Sequence, residues 1–272
     1  MTKQGEDGPE EEMPVKKKWA TIILAAGKGT RMKSQIAKAL HPIQGRAMLY
    51  YPIKLAKDIE SDRVIVVVGH QAELIREAMD DGNLIFVHQE QQLGTGHAIQ
   101  QTKDTLNDFD GHVLILCGDV PLLLPSTIKA MTAMHIRSHA SITVLTALLD
   151  DPSGYGRIVK DERNNVRKIV EERDADDNEK KIKEINTGIY CAQSRFLFEA
   201  VEQIDDNNVQ KEYYLTDIIE IASRRKAKVI SSTVADPVEV MGINTMEDLE
   251  KANSIMTERG GKSQANKFLS SK

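Results

Sequence analysis

The chain has 272 residues, room for two domains at most at roughly 100–200 residues each. Charged residues make up 28% and the broad hydrophobic set 40%, a balance that can bury a sizeable core. The formal net charge of -5 argues against a nucleic-acid coat or polybasic membrane anchor, and no apolar run approaches the roughly 18 residues of a membrane span.

Residues 1–18 carry a Glu cluster, Gly, Pro and Lys with almost no apolar side chains, which predicts a disordered tail and contains no secretory signal. Residues 20–24 (ATIIL) then read as a buried strand, followed by a Gly-rich turn and a helical pattern over 50–59. Next come a strand at 64–68 (VIVVV), a helix at 72–79, a strand at 84–87, a helix from Thr95 and a strand at 113–116 (VLIL). Short Val/Ile runs separated by helices mark parallel strands buried on both faces, so the first half predicts a Rossmann-like, doubly wound, mainly parallel α/β sheet.

The second half changes character: strands are expected at 141–148, 156–159, 166–171 and 184–191, and helices near 196–204 and 216–224. This predicts a smaller mixed-sheet subregion. A last helix starts at Thr245, an N-cap residue with Asp248 at the third helical position. The expected domain spans 19–257, with a flexible tail over 258–272. No hexapeptide or longer repeat occurs, so a left-handed β-helix is not expected within this chain. The two cysteines, Cys117 and Cys191, are too few for a disulfide framework and suit a cytoplasmic location.

The segment LAAGKGTRMKS at 24–34 directly follows the first strand. Leu24, Ala25, Ala26 and Gly27 let a backbone approach a ligand closely, and successive N–H groups there can form an anion nest. Arg31 and Lys38 add a planar guanidinium and a compact point charge, although surface Lys and Arg are more often simply solvated. Met32 replaces the second glycine of a Walker loop, and the dinucleotide fingerprint fails as well. Asp119 lies at the carboxyl end of the 113–116 strand, where a carboxylate can hold Mg²⁺ or merely close a turn before Pro121. His41, His70, His88 and His97 fit no zinc spacing, and neither cysteine has a neighbouring Cys.

LAAGKGTRM with Lys38 and His41-Pro42 resembles the family that joins nucleoside triphosphates to sugar 1-phosphates. VVGHQAE (67–73), QQLGTGHA (91–98), CGDVPLL (117–123), GYGRIV (154–159), IVEERDA (169–175), EINTGIY (184–190), KEYYLTDI (211–218) and GINT (242–245) follow in the family's order. The set QLGTGHA, GYGRI and EINTGIY is similar to the N-acetylglucosamine-1-phosphate uridylyltransferase branch. The resemblance implies a nucleotide-diphospho-sugar transferase fold and a Mg²⁺-dependent reaction of UTP with N-acetylglucosamine 1-phosphate. Arg31 and Lys38 would neutralise the reacting phosphates. Leu24, Ala25, Ala26, Gly27, Gln89, Gly94 and Thr95 would hold the nucleotide, with the Gln89 amide facing the base edge. Gly156, Glu171, Asn186, Tyr214 and Thr216 would hold the sugar, and Asp119 with Asn244 the metal. Only the resemblance pairs Asp119 with Asn244, since no local spacing links them. Met241 departs from the family, where an acidic residue often precedes Gly-x-Asn. Two rival expectations are another sugar 1-phosphate or dTTP as substrate, and a nucleotide-sugar-binding regulator without turnover. The acetyl-transfer and trimer-forming part of the bifunctional relatives has no counterpart motif here, and no oligomeric state is implied.

Overall fold

The computed structural model describes residues 17–270, with side chains through Gly260; the expected N-terminal tail falls outside them apart from Lys17 and Lys18. β1 (Trp19–Ala25) has apolar side chains on both sides of the strand, so it can only be central. It lies between β4 (Arg63–Val68) and β6 (His112–Cys117), parallel to both, and β5 (Ile85–His88) pairs parallel beyond β4. β2 (Pro42–Ile43) and β3 (Arg46–Ala47) form a small hairpin outside this sheet. Its turn sits at Gln44 and Gly45, which both have positive φ.

α1 (Tyr50–Asp58), α2 (Ala72–Met79), α3 (Thr95–Gln100) and α4 (Pro125–Ser138) connect these strands. β7 (Ile142–Leu148), β8 (Arg157–Lys160), β9 (Val166–Val170) and β10 (Glu184–Gln193) follow, then α5 (Ser194–Val201), α6 (Asp217–Arg224), β11 (Val229–Thr233) and α7 (Met246–Ser270).

The mixed second half is continuous with the parallel first half. The main order is β11-β7-β10-β6-β1-β4-β5, with β8 and β9 branching from β10 in one nine-stranded sheet. β10 runs antiparallel to both β6 and β7, and the other six strands of that order share one direction. The hairpin, α4 and β11 have no counterpart in the sequence reading. β11 is a half-exposed strand of Val, Ile, Ser and Thr at the sheet's edge, where burial leaves little apolar signal. α7 is helical through Ser270, where a flexible tail is expected from residue 258.

The two sheet faces carry separate cores. Ile22, Ile65, Val67, Val113 and Ile115 face α3, α5 and α6, whereas Ile23, Val64, Val66, Leu114 and Leu116 face α1, α2 and α4. A third cluster of Met32, Ile43, Met48, Leu122, Ile243, Leu249 and Ala252 lies off the sheet. It fastens the loop after β1, the hairpin and the loop after β6 to α7. Among the described residues no helix is long and apolar enough to cross a membrane.

At the amino end of the sheet, His112 Nδ1 lies 3.0 Å from His135 Nε2, and His135 Nδ1 lies 2.8 Å from Thr143 Oγ1. Trp19 stacks on His112 at 5.2 Å. Burial lowers the pKa of both histidines, that of His135 to about 4, with mutual repulsion adding to the latter. The unfolded chain therefore binds a proton that the fold refuses, and stability falls as pH drops from about 6.5 towards 4. Thermal or urea melts at pH 7 and pH 5 should differ by on the order of 1–2 kcal/mol from this pair. His135→Gln should narrow that difference while lowering stability at pH 7.

Candidate active site

The chain leaves β1, runs out to β4 and β5 on one side, then crosses to β6 on the other. The carboxyl ends of β1 and β6 thus flank a topological switch point, where open α/β sheets form a crevice. A cavity of about 540 Å³ lies there, lined by the 24–28 loop, Lys38, Gln89, Gly94, Thr95, Asp119 and others. All seven residues expected at the nucleotide line it, as do Lys38 and Asp119. A Cβ built on Gly27 would meet nothing within 4 Å, so this backbone borders open space. Lys28, the next residue of the same loop, also lines the cavity.

Gly29 adopts φ +63, and a Cβ there would sit 2.6 Å from Lys38 Cβ. This glycine lets the lysine pack against the loop and reach inward. Lys38 Nζ is 2.5 Å from Asp119 Oδ2 and donates to Asn244 Oδ1 at 2.8 Å. Arg31 donates to the same Asn244 oxygen at 2.8 Å. The four residues expected at the phosphates and metal therefore converge, although they come from positions 31 to 244. Their backbones are joined as well, because Ile243 N–H donates to the Asp119 carbonyl at 2.9 Å.

Asn244 sits at the entry to α7. Asp248 Oδ2 accepts from the backbone N–H groups of Asn244 and Thr245, both at 2.9 Å, and Asp248 N–H donates to Thr245 Oγ1 at 3.1 Å. This reciprocal cap matches the expected N-cap and fixes the Asn244 backbone. Burial alone would raise the Asp248 carboxyl, but those N–H groups and the Thr245 hydroxyl outweigh it and hold its pKa below the usual value.

Gln89 is 3% exposed. Its amide nitrogen contacts Gly94 O and His97 Nδ1, each at 3.0 Å, so the group it offers the cavity is the carbonyl oxygen. His97, which fits no zinc spacing in the sequence, is thus a support for Gln89. Gly94, at φ +111, would place a Cβ 2.6 Å from Tyr213 O, so only glycine fits that contact. One of the first N–H groups of α3 is already engaged, since Gly96 N–H donates to Tyr213 O at 2.7 Å. The Thr95 hydroxyl accepts from Leu215 N–H.

Four of the five residues expected at the sugar meet one another outside the main cavity lining. A Cβ on Gly156 would lie 3.4 Å from Glu171 Oε2 and 3.5 Å from Asn186 Cβ. Thr216 Oγ1 donates to Glu171 Oε1 at 3.2 Å. Asn186 N–H donates to Gly156 O at 2.8 Å, and its Oδ1 accepts from Gly188 N–H and the Tyr190 hydroxyl. The amide nitrogen of Asn186 is what remains to face a ligand. A register shift in β10 between Asn186 and Tyr190, with Gly188 at φ +77, sets this orientation. Tyr214 does not join the group through its hydroxyl, which instead accepts from Gln210 at 2.7 Å in a buried setting. Burial raises the pKa of Glu171, with the Thr216 hydroxyl pulling the other way. Neighbouring Asp217 rises to about 6 through burial and the charges of Asp205 and Glu220.

Tyr155 was not among the expected site residues, though it lies within the GYGRIV block. Burial raises its pKa, as do the charges of Asp248 and Asp119. Cys117 lines the cavity, but burial pushes its thiol up to about 12, which leaves it neutral and without nucleophilic character. Among the described residues no group of three or more His, Cys, Asp or Glu could hold a metal. The Asp119 and Asn244 oxygens do fit Mg²⁺: both already contact one cation, the Lys38 ammonium, and both are hard donors that leave coordination positions for phosphate and water.

A model of the Nucleotidyl transferase family matches residues 20–237. The "Bifunctional protein GlmU" of Geotalea daltonii is 47% identical over 243 residues, which is 89% of this chain and 53% of that protein. The protein of the same name from Geobacter sulfurreducens is 50% identical over 86% of this chain and 49% of its own length. That of Desulfotalea psychrophila is 44% identical over 88% of this chain and 71% of its own. The chain thus spans about half the length of the first two relatives. A solved UDP-glucose pyrophosphorylase, complexed with UDP-glucose, superposes with a TM-score of 0.69 at 18% identity, covering 89% of this chain and 99% of that one. That likeness fixes the fold. With its family model spanning most of the chain and its relatives near half identity, the protein belongs to the nucleotidyl transferase family.

Proposed function

We propose that this chain joins UTP to N-acetylglucosamine 1-phosphate, forming UDP-N-acetylglucosamine and pyrophosphate with Mg²⁺. The observation that carries this reading is the Lys38 ammonium shared by Asp119 and Asn244, with Arg31 on the same asparagine, at the mouth of a nucleotide-sized crevice. Two polyanions must meet for the reaction, so the site's task is charge neutralisation and alignment. No nucleophilic side chain is needed, because the attacking oxygen belongs to the sugar phosphate. The cluster supplies what that task requires and little else.

In this reading the 24–27 backbone and the Gln89 carbonyl oxygen seat the uridine, the latter accepting from the base N3–H. Arg31 binds phosphate oxygens through its planar fork, and Lys38 stabilises the charge that builds on the α-phosphate during in-line displacement. Asp119 and Asn244 would hold the Mg²⁺, whose chemistry is to screen the phosphates and polarise the bonds to the leaving pyrophosphate. Glu171 and the Asn186 amide nitrogen orient the sugar, with Gly156 leaving room for it. The identity of the relatives and the ordered family motifs support the choice of substrates.

Pyrophosphate release should be measured across a matrix of nucleoside triphosphates and sugar 1-phosphates, with and without Mg²⁺. Release confined to UTP with N-acetylglucosamine 1-phosphate and dependent on Mg²⁺ is expected. Turnover with another sugar or with dTTP would correct the specificity, and silence with tight UDP-sugar binding would make the chain a sensor. Asp119→Ala should lower kcat by about 100-fold or more while the melting temperature holds. Glu171→Ala should raise the sugar-phosphate KM by roughly tenfold and leave the UTP KM within about twofold.

A further inference from the structure

Arg157 is the largest fully buried side chain of the described residues, at 1% exposure. Its Nη2 donates to Glu172 Oε2 at 2.7 Å, its Nη1 donates to the Tyr155 carbonyl, and its buried Nε has no partner. Glu172 Oε2 also accepts from Gly154 N–H at 3.1 Å. A buried guanidinium with one orphaned donor is a poor way to stabilise a sheet, since an apolar side chain of similar volume avoids the desolvation cost. Its placement suggests another use. Arg157 opens β8 and pairs in register with Val170, the last residue of β9. Gly156 immediately precedes the arginine, and Glu171 separates Val170 from Glu172. The ion pair therefore ties together the two strand ends that present Gly156 and Glu171, and it holds the Tyr155 carbonyl beside them.

We propose that the buried Arg157–Glu172 pair is the positioning element of the sugar subsite, fixing the Gly156 backbone against the Glu171 carboxylate and the Tyr155 peptide beside it. The pair touches no substrate and acts through those residues. This rests on the assignment of Gly156, Glu171 and Asn186 to the sugar. It predicts a separation that a purely structural ion pair would not give. Removing the pair weakens sugar-phosphate recognition even where it leaves the fold equally stable.

Arg157→Met keeps the volume and removes the buried charge, and Glu172→Ala works from the half-exposed side of the pair. Each is expected to raise the sugar-phosphate KM about tenfold or more with the UTP KM within about twofold, while Glu172→Gln, which keeps a carbonyl acceptor, recovers part of the loss. Unchanged sugar-phosphate KM, or equal rises for both substrates, would overturn the proposal. If Arg157→Met fails to fold, Glu172→Ala and Glu172→Gln decide alone. A readout independent of turnover is hydrogen exchange at the Asn186 amide, which donates to the Gly156 carbonyl. Faster exchange there in Glu172→Ala is expected, and an unchanged rate refutes the positioning role. A wild-type protein silent across the whole substrate matrix would sink the proposed reaction, and the exchange measurement would still judge the pair.

Discussion

One ammonium group, that of Lys38, holds together segments from three distant parts of the chain, and much of the architecture around the crevice serves to deliver them to it. Asp119 arrives because β6 ends beside β1 at the point where the sheet's winding reverses. Asn244 arrives because α7 packs its Leu249 and Ala252 against Met32, Ile43 and Leu122, while the Thr245–Asp248 cap fixes the helix entry. Lys38 itself arrives because Gly29 turns through positive φ and leaves no side chain in its path. Two cations on one asparagine oxygen would repel each other in a ligand-free site, and the Asp119 carboxylate is the charge that offsets them. A phosphate oxygen is the natural fourth member of such a set.

The reversed strand β10 extends the site beyond the parallel sheet. Because it runs against β6, with Tyr190 opposite Ile115 and Cys191 opposite Leu114, its amino-terminal half overshoots the carboxyl end of β6. Gly188 then falls beside Cys117, and the segment that carries Asn186 precedes it in the overhang. Had β10 been parallel, its corresponding residues would lie at the opposite end of the sheet. β8 and β9 branch from this same overhanging segment, with Ile185 opposite Arg157, and carry Gly156 and Glu171 to it. The topology thus gathers Gly156, Glu171 and Asn186, the residues proposed for the sugar, without adding a domain.

Much of the fold was legible in the sequence, because strands buried on both faces have to read as unbroken apolar runs. VIVVV is β4, VLIL is the centre of β6, and the amphipathic 72–79 pattern is α2. β11 escaped because an edge strand with Ser231, Ser232 and Thr233 has no such run, and the two-residue hairpin strands are too short to carry a period. Within the site, the glycine loop and Asp119 could be placed by their position after strands. The meeting of Asp119 with Asn244 could not, since the order of strands and the docking of α7 bring them together. The burial of Arg157 was equally invisible, because arginine is ordinarily found at the surface. Tyr214, expected at the sugar from its place in a family motif, is buried with its hydroxyl accepting from Gln210, an arrangement that no sequence pattern signals.

The cations of the crevice, with Asp119 and Glu212 among them, stand apart from a group of acids near α6, and on the proposed reading that separation orients a substrate. Lys28, Arg31 and Lys38 lie on the side of the β1 loop, whereas Glu171, Asp174, Asp205, Asp217 and Glu220 act on one another on the side of α6. A sugar 1-phosphate is anionic at one end and a set of hydroxyls at the other. Its phosphate is repelled by the acidic side and attracted to the cations, while its hydroxyls can donate to carboxylates that would reject any anion. Burial first, and the neighbouring acids after it, raise the pKa of Glu171 and take that of Asp217 to about 6, so Asp217 carries less than its full charge near that pH. On the proposed reading this crowding has a use: it makes the reversed binding mode, phosphate towards Glu171, the unfavourable one before any contact with the nucleotide is made.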